Sequence, residues 1–370
     1  MKFLQQTKQW ALLSVMAITL YSCSRDNEGF TGPEQPDLSK PYDNGFFIIG
    51  EGSYGKSAGT VNFYAYGADT IATRVYEKEN PGKITSNAAM SSTLQFAGII
   101  NGKLYLLSKL NGPIIKVDAG TLKEEARYTQ EASNWRSIVH VSGNTGLVSA
   151  NDGVYYIDLT TLQVQSKLLT VSAVNTGDMI KTDNYIFVLQ SNGVKIINVS
   201  SNNSFVKSFT NINRGLTTTP NGKVWGAVGT RLVAIDSKLD TAGVTIPVAV
   251  SSWGLDAPTI LTASTKENAV FYHSGTKIYK YIDGNSGSLD QPFITINESP
   301  FMVYGAIRYD KNKDYLIVNG IKGYGNASTV NYLLIYNASN GSLVKKIVYG
   351  GDETNLDFQK IYFPTLSVFH

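Results

Sequence analysis

The stretch NGKLYLLSKLNGPIIKVDAGTL, residues 101–122, reads as a strand, a tight turn, a second strand and another turn. Runs rich in Leu, Ile and Tyr, bounded by Asn-Gly and Asp-Ala-Gly, carry the signature of a hairpin. It is one copy of a repeat. Similar units begin at Gly143 (GNTGLVSANDGVYYIDLTTLQVQSKLL), Thr182 (TDNYIFVLQSNGVKIINVSSNNSFVKSF), Asn221 (NGKVWGAVGTRLVAIDSKLDTAGVTIP) and Lys266 (KENAVFYHSGTKIYKYIDGNSGSLDQPF), and longer versions begin at Asn44 and Asn312. The seven starts are spaced by 57, 42, 39, 39, 45 and 46 residues.

Within a unit the second run ends in Asp or Asn: Asp118, Asp158, Asn198, Asp236, Asp283 and Asn337. A short carboxylate or amide there accepts hydrogen bonds from the N–H groups of the following turn, an Asx-turn. A further alternating run precedes each unit, such as TLQFAGII (93–100), RSIVHVS (136–142) and VYGAIRYD (303–310), so each unit supplies four strands. Four-stranded repeats of this length point to an all-β fold, a seven-bladed β-propeller. The first unit lacks a preceding strand while the last is followed by FPTLSVFH. The C-terminal run 365–369 is therefore expected as the innermost strand of the blade begun by residues 46–50, closing the ring. A pair of β-sandwiches would not repeat in seven phased units, and a solenoid would need capping ends.

Composition agrees. Charged residues make up 16% of the 370, Gly and Tyr number 34 and 22, and the net charge of +3 comes from scattered lysines, so no basic stripe marks a nucleic-acid surface. At the N-terminus Lys2 and Lys8 precede the apolar run WALLSVMAITL (10–20), too short for a bilayer span but suited to a signal peptide. It ends in LYSC, and Cys23 is the only cysteine, which removes disulfides and cysteine metal clusters within one chain. LYSC resembles a lipobox, with Leu20 and Ser22 before an acylated cysteine; Tyr21 is bulkier than usual there. The expected organisation is a signal peptide at 1–22, a lipidated flexible tether at 23–43 and the propeller at 44–370. Acylation of Cys23 would hold the protein on a membrane without a transmembrane helix. Asp26 and Glu28 behind it resemble the signal that sends lipoproteins of Bacteroidetes to the outer face of the outer membrane.

Chemistry-bearing patterns are sparse. His140, His273 and His370 lie in separate units, and no H-E-x-x-H, C-x-x-C or EF-hand loop occurs. His140 sits in an inner-strand position and suits packing, whereas His273 at a turn suits either packing or the face. The Gly-rich fragments 50–59 and 320–328 are not phosphate loops. No catalytic residue, metal or cofactor is expected; Glu51, Asp152, Asp178 and Asp256 are the carboxylates that could face one another across a ring, which keeps a hydrolase or lyase open.

In a four-stranded blade the turn between its second and third strands shares a face with the crossover into the next inner strand. On that face fall Tyr54, Asn111, Asn151, Asp152, Asn192, His273 and Tyr324 from the turns, and Trp135, Arg136, Arg214, Trp253, Phe301, Tyr304 and Tyr362 from the crossovers. Rigid rings among amide donors and acceptors suit a bulky neutral amphipathic ligand, although about half of such rings are expected to pack between blades.

The stretch NGFFIIGEGSYGKSAGTVNFY (44–64) resembles the opening hairpin of a family of Bacteroidetes surface lipoproteins built as seven-bladed propellers with YncE-type repeats, with Gly50 where that family commonly has Asn. The resemblance implies capture of cobalamin or a related corrinoid at the cell surface and its delivery to a TonB-dependent outer-membrane transporter. Cobalamin would be a transported ligand, not a cofactor. The other readings are a capture propeller for a glycan or peptide, and an enzyme on the same scaffold.

Overall fold

The computed structural model describes residues 39–91, 93–129, 133–251, 254–258, 260–299, 301–351 and 360–370. The expected signal peptide, Cys23 and most of the tether lie outside the described residues, as does Trp253. Residues alternate between the two faces of a strand, and here both faces are apolar because each sheet is covered on both sides. In β4 (Lys103–Ser108), Leu104 and Leu106 join one buried cluster with Phe47 and Ile49, while Tyr105 and Leu107 join another with Val148 and Ile157. That is why the strands read as near-continuous apolar runs with so few charges.

Seven antiparallel sheets result. The first comprises β28 (Pro364–Phe369), β1 (Gly45–Gly50) and β2 (Thr60–Ala65). The inner strands of the second to sixth sheets are β3 (Leu94–Ile100), β7 (Trp135–Ser142), β11 (Thr176–Lys181), β15 (Arg214–Thr218) and β19 (Thr262–Ala263). In the seventh, β23 (Met302–Val303) and β24 (Arg308–Asp310) share the inner position against β25 (Tyr315–Ile321). Each inner strand touches the next, from β28 through β3, β7, β11, β15, β19 and β24 back to β28. Apolar clusters fill every space between neighbouring sheets, the last uniting Phe46 and Ile48 with Ile317 and Ile335. The C-terminal strand closes the ring beside β1 as expected, with Phe47 opposite Val368 and Ile49 opposite Leu366.

The Asx-turns form where expected with one exception. Asp118 Oδ1 accepts the N–H groups of Gly120 and Thr121 at 3.1 and 3.0 Å, and Asp158, Asn198, Asp236 and Asn337 do the same in their turns. Asp283 instead takes the Lys223 ammonium at 2.7 Å, and its turn is closed by backbone bonds. Leu122, Leu162 and Leu239 end three of these turns with positive φ, yet each side chain is buried. The left-handed conformation costs about 1–2 kcal/mol, which burial of a leucine, about 1.5–3 kcal/mol, offsets.

Two departures from the regular repeat matter. The first sheet has three strands where the sequence predicts four: Ala72 makes only a bridge to Phe63, and the chain enters the short helix α1 (Val75–Glu79). Asn62 Oδ1 captures the Arg74 N–H at 2.9 Å, turning the chain away, and Tyr76 and Glu79 then engage Glu124 and Lys123 of the second sheet. The tether expected to end at residue 43 is also packed at its end. Tyr42 is buried against Phe47 and Phe63, and its hydroxyl donates to Glu79 at 2.9 Å.

Removing residues 364–370 should abolish the cooperative thermal transition followed by circular dichroism, because β1 loses its inner partner. Leu366→Ala keeps the backbone pairing and should lower the unfolding free energy in denaturant by about 2–5 kcal/mol.

Candidate functional site

The turns and crossovers assigned to one face do meet there. Asn111 N–H donates to Ser133 O at 3.1 Å, Ser191 N–H to Asn175 O at 2.9 Å, Ser251 N–H to His273 O at 3.0 Å, and Glu51 N–H to Phe363 O at 2.9 Å. The face is thus a belt of linked loops around the mouth of the axial channel.

Bulges shape that mouth. Where inner strands reach the face, their register slips: between Leu94 and Phe96 in β3, Trp135 and Ile138 in β7, Thr176 and Met179 in β11, and opposite Ile49 and Gly50 in β28. A bulge re-aims the extra side chain. The residues so freed are Gln95, Arg136 with Ser137, Gly177 with Asp178, and Thr365. Gln95 and Thr365 line a recess of about 230 Å³ together with Glu51, Lys109, Tyr304, Gly305 and Pro258. Arg136, Ser137 and Asp178 line a second cavity of about 260 Å³ with Arg308, also bounded by Pro258. Gly305 adopts φ of 73°, and a Cβ there would lie 2.2 Å from Thr365 O, so glycine lets the inner strand of the seventh sheet cross close to β28.

The recess is polar and electrostatically tense. Tyr304 Oη donates to Glu51 Oε2 at 2.8 Å, and the Gln95 amide bonds the same carboxylate. Burial nevertheless raises the Glu51 carboxyl above its ordinary value, against those hydrogen bonds and the charge of Lys109. Burial, reinforced by Glu51, also raises the Tyr304 phenol far above its usual range. In the second cavity burial pulls the Arg308 guanidinium down to about 10, with Asp178 acting in the opposite direction. Among the described residues no cluster of three His, Cys, Asp or Glu side chains could hold a metal ion.

A group of rings borders the recess. Tyr304 stacks on Phe363 with centroids 4.8 Å apart, and Tyr362 and Tyr324 lie 5.9 and 6.4 Å from Phe363. Tyr324 remains 55% exposed and Tyr54, farther along the first hairpin loop, 74%. Other residues expected on the face have structural partners. Trp135 is 1% exposed, wedged edge-on between Tyr128 and Tyr155, and Phe301 packs edge-on to Tyr332 against Gly320. His273 is buried, its ring Nδ1 is 3.2 Å from Gly275 O, and burial lowers its pKa. Both sheet faces being covered, rings at the strand ends go between blades. Arg136 bonds Asn175 and Thr176 O inside the channel, Arg214 donates to Val250 O at 2.9 Å, and Asp152 is held by Lys167 at 2.8 Å and Tyr155 at 2.6 Å. Asn111, Asn151 and Asn192 belong to the loop belt, with Asn151 accepting from Ser133; none of the three lines the recess. Gln95, Lys109, Phe363 and Thr365 are not singled out by sequence; the signal for Thr365 and its neighbour Phe363 is the expected closing strand 365–369, which the structure sets with Pro364 opposite Gly50.

Seven radial sheets around a channel with a polar, ring-bordered mouth define a seven-bladed β-propeller. The chain belongs to the family described as Domain of unknown function (DUF5074), which matches residues 44–370. Among solved structures it is similar to a quinonprotein alcohol dehydrogenase-like protein from Bacteroides thetaiotaomicron, at 22% identity and a TM-score of 0.68, covering 89% of this chain and 78% of that one. A second is the β-propeller domain of Cps50 (Swd1) from Myceliophteria thermophila, at 10% identity and a TM-score of 0.51, covering 69% and 86%. These likenesses concern the fold. No curated protein matches the chain.

Because Glu51 has a folded-state pKa above its unfolded one, its ionisation costs stability as pH rises through and beyond the ordinary carboxylate range, and that cost is absent in acid. Glu51→Gln should therefore melt higher than the parent at neutral pH, with the difference shrinking as pH falls to about 4; parallel melting curves across pH measure this.

Proposed function

We propose that this chain is a lipid-anchored protein of the outer-membrane surface that captures a bulky amphipathic nutrient, first of all cobalamin or a related corrinoid, on the channel-mouth face and passes it to a TonB-dependent transporter. The observation that carries the reading is the ring group Tyr304, Phe363, Tyr324 and Tyr362 standing beside a polar recess. Rings give contact area at little entropic cost, and backbone hydrogen bonds between the described loops reduce what a ligand would have to order. The lipobox-like LYSC and the resemblance to YncE-type capture lipoproteins support the surface location and the ligand class. Capture asks for no reacting pair of residues, so the reading is of a binding protein and not an enzyme. A recess of about 230 Å³ admits only part of such a ligand, the remainder lying across the rings.

Isothermal titration of the purified chain with cyanocobalamin should show micromolar or tighter binding, weakened about tenfold by Tyr324→Ala; absence of heat at micromolar protein would remove the corrinoid reading. In cells, labelled palmitate should enter the protein and be lost in Cys23→Ser, and externally added protease should reach the propeller of intact cells.

A further inference from the structure

Gln95 occupies the bulge of β3, is 8% exposed, and lines the recess. Its amide nitrogen is committed to Glu51, whereas its Oε1 has no hydrogen-bond partner among the described residues. A buried acceptor left without a donor is unfavourable, so a group that reaches it and donates to it there binds with an advantage. Around the same space stand the Glu51 carboxyl, a second acceptor, and the Lys109 side chain, a donor of opposite charge. Ala257, Pro258 and Gly305 supply the less polar part of the wall.

That pattern selects a chemical class. A ligand anion would meet Glu51, and a ligand cation would meet Lys109. A neutral group that donates and accepts at adjacent atoms satisfies both sides, and vicinal hydroxyls do so: one donates to Gln95 Oε1 or Glu51 while its oxygen accepts from Lys109. The C–H face of a ring carrying them suits Pro258 and Ala257. At about 230 Å³ the recess falls below the roughly 300–1,000 Å³ typical of sites for drug-sized molecules, which limits the guest to about one ring. We infer that the recess is a subsite for a single ring bearing vicinal hydroxyls. The inference rests on reading this face as the ligand-binding face, but not on the ligand being a corrinoid. Such a ring has two sources here, the ribose of the 5′-deoxyadenosyl group of an adenosylated corrinoid, whose 2′- and 3′-hydroxyls are free, or a terminal sugar of a glycan.

The test titrates the full-length chain in detergent with D-ribose, D-glucose, D-galactose and D-mannose, and separately, in the dark, with adenosylcobalamin and with cyanocobalamin, which lacks the adenosyl ribose. Gln95→Leu and Lys109→Met are run alongside, with melting curves to show that they fold. The expected result is millimolar binding of at least one free sugar, weakened about tenfold by either substitution. If the source is the ribose, adenosylcobalamin binds more tightly than cyanocobalamin and Gln95→Leu erases the difference. If it is a glycan, a hexose binds in the same substitution-sensitive way and neither corrinoid binds, so the subsite stands and the corrinoid reading falls. Equal binding of both corrinoids, unaffected by Gln95→Leu and with no sugar bound, overturns the subsite and leaves capture standing. Sugar binding indifferent to both substitutions overturns it as well.

Discussion

The pairing of β28 with β1 is the constraint on which the rest depends. A propeller has no terminal cap; each sheet is covered by its neighbours, and the cover is complete only when the last interface forms. Here that interface is made by a strand from one end of the described chain zipped to a strand near the other, Phe46 opposite Phe369 through Gly50 opposite Pro364. The same strand supplies Thr365 to the recess, and its carbonyl accepts the Ala306 N–H at 2.8 Å, holding the interrupted inner strand of the seventh sheet in place. Glu51 follows β1 directly and is anchored by the Phe363 carbonyl. Ring closure and construction of the site are therefore one event.

The first sheet is the place where the repeat is broken, and its lost fourth strand is replaced by contacts of another kind. Helix α1 turns its buried Val75 and Tyr76 inward, and Tyr76 and Arg127 both engage the Glu124 carboxylate. Burial raises that carboxyl, but the Arg127 and Tyr76 hydrogen bonds outweigh it and leave it below its ordinary value. A largely enclosed carboxylate with hydrogen-bonding partners is stable where an unpaired one would not be. The first and second sheets are joined by this polar clasp in addition to their apolar cluster.

Much of this architecture was legible in the sequence because the pattern of apolar runs and turn signals repeats seven times, with an Asx residue closing the second run in six of the units, and because the missing strand at one end matched the surplus at the other. The helix was not: TIATRVY has the composition of a strand, and the decisive bond from Asn62 is a tertiary accident of one hairpin. For the candidate site, the loops that share one face could be read, and Tyr304, Tyr324 and Tyr362 with them, but not which of the other residues pack between blades. Trp135 and Phe301 lie at strand ends where a ring can point to solvent or to the next blade, and the neighbouring blade's small residue or ring decides. Gln95 reads as one more polar residue in TLQFAGII until the bulge is known, and a one-residue slip moves a side chain from one face to the other.

Those bulges explain how an apolar scaffold carries a polar centre. Between the blades almost every side chain is aliphatic or aromatic, and a polar group there would have to be satisfied within a tightly packed layer. At the channel the extra residue of each slipped strand leaves the ladder, so Gln95, Arg136, Asp178 and Thr365 enter the axis without disturbing the pairs on either side. The bordering rings come from crossovers and loops, not from the covered strands. Substitutions in those segments can therefore change the chemistry of the mouth while the interblade clusters stay intact, and a propeller of 22% identity can share this ring of sheets without sharing that chemistry. The polar lining of the mouth comes from slipped residues and connecting loops, and the cover between blades from the residues that kept their register.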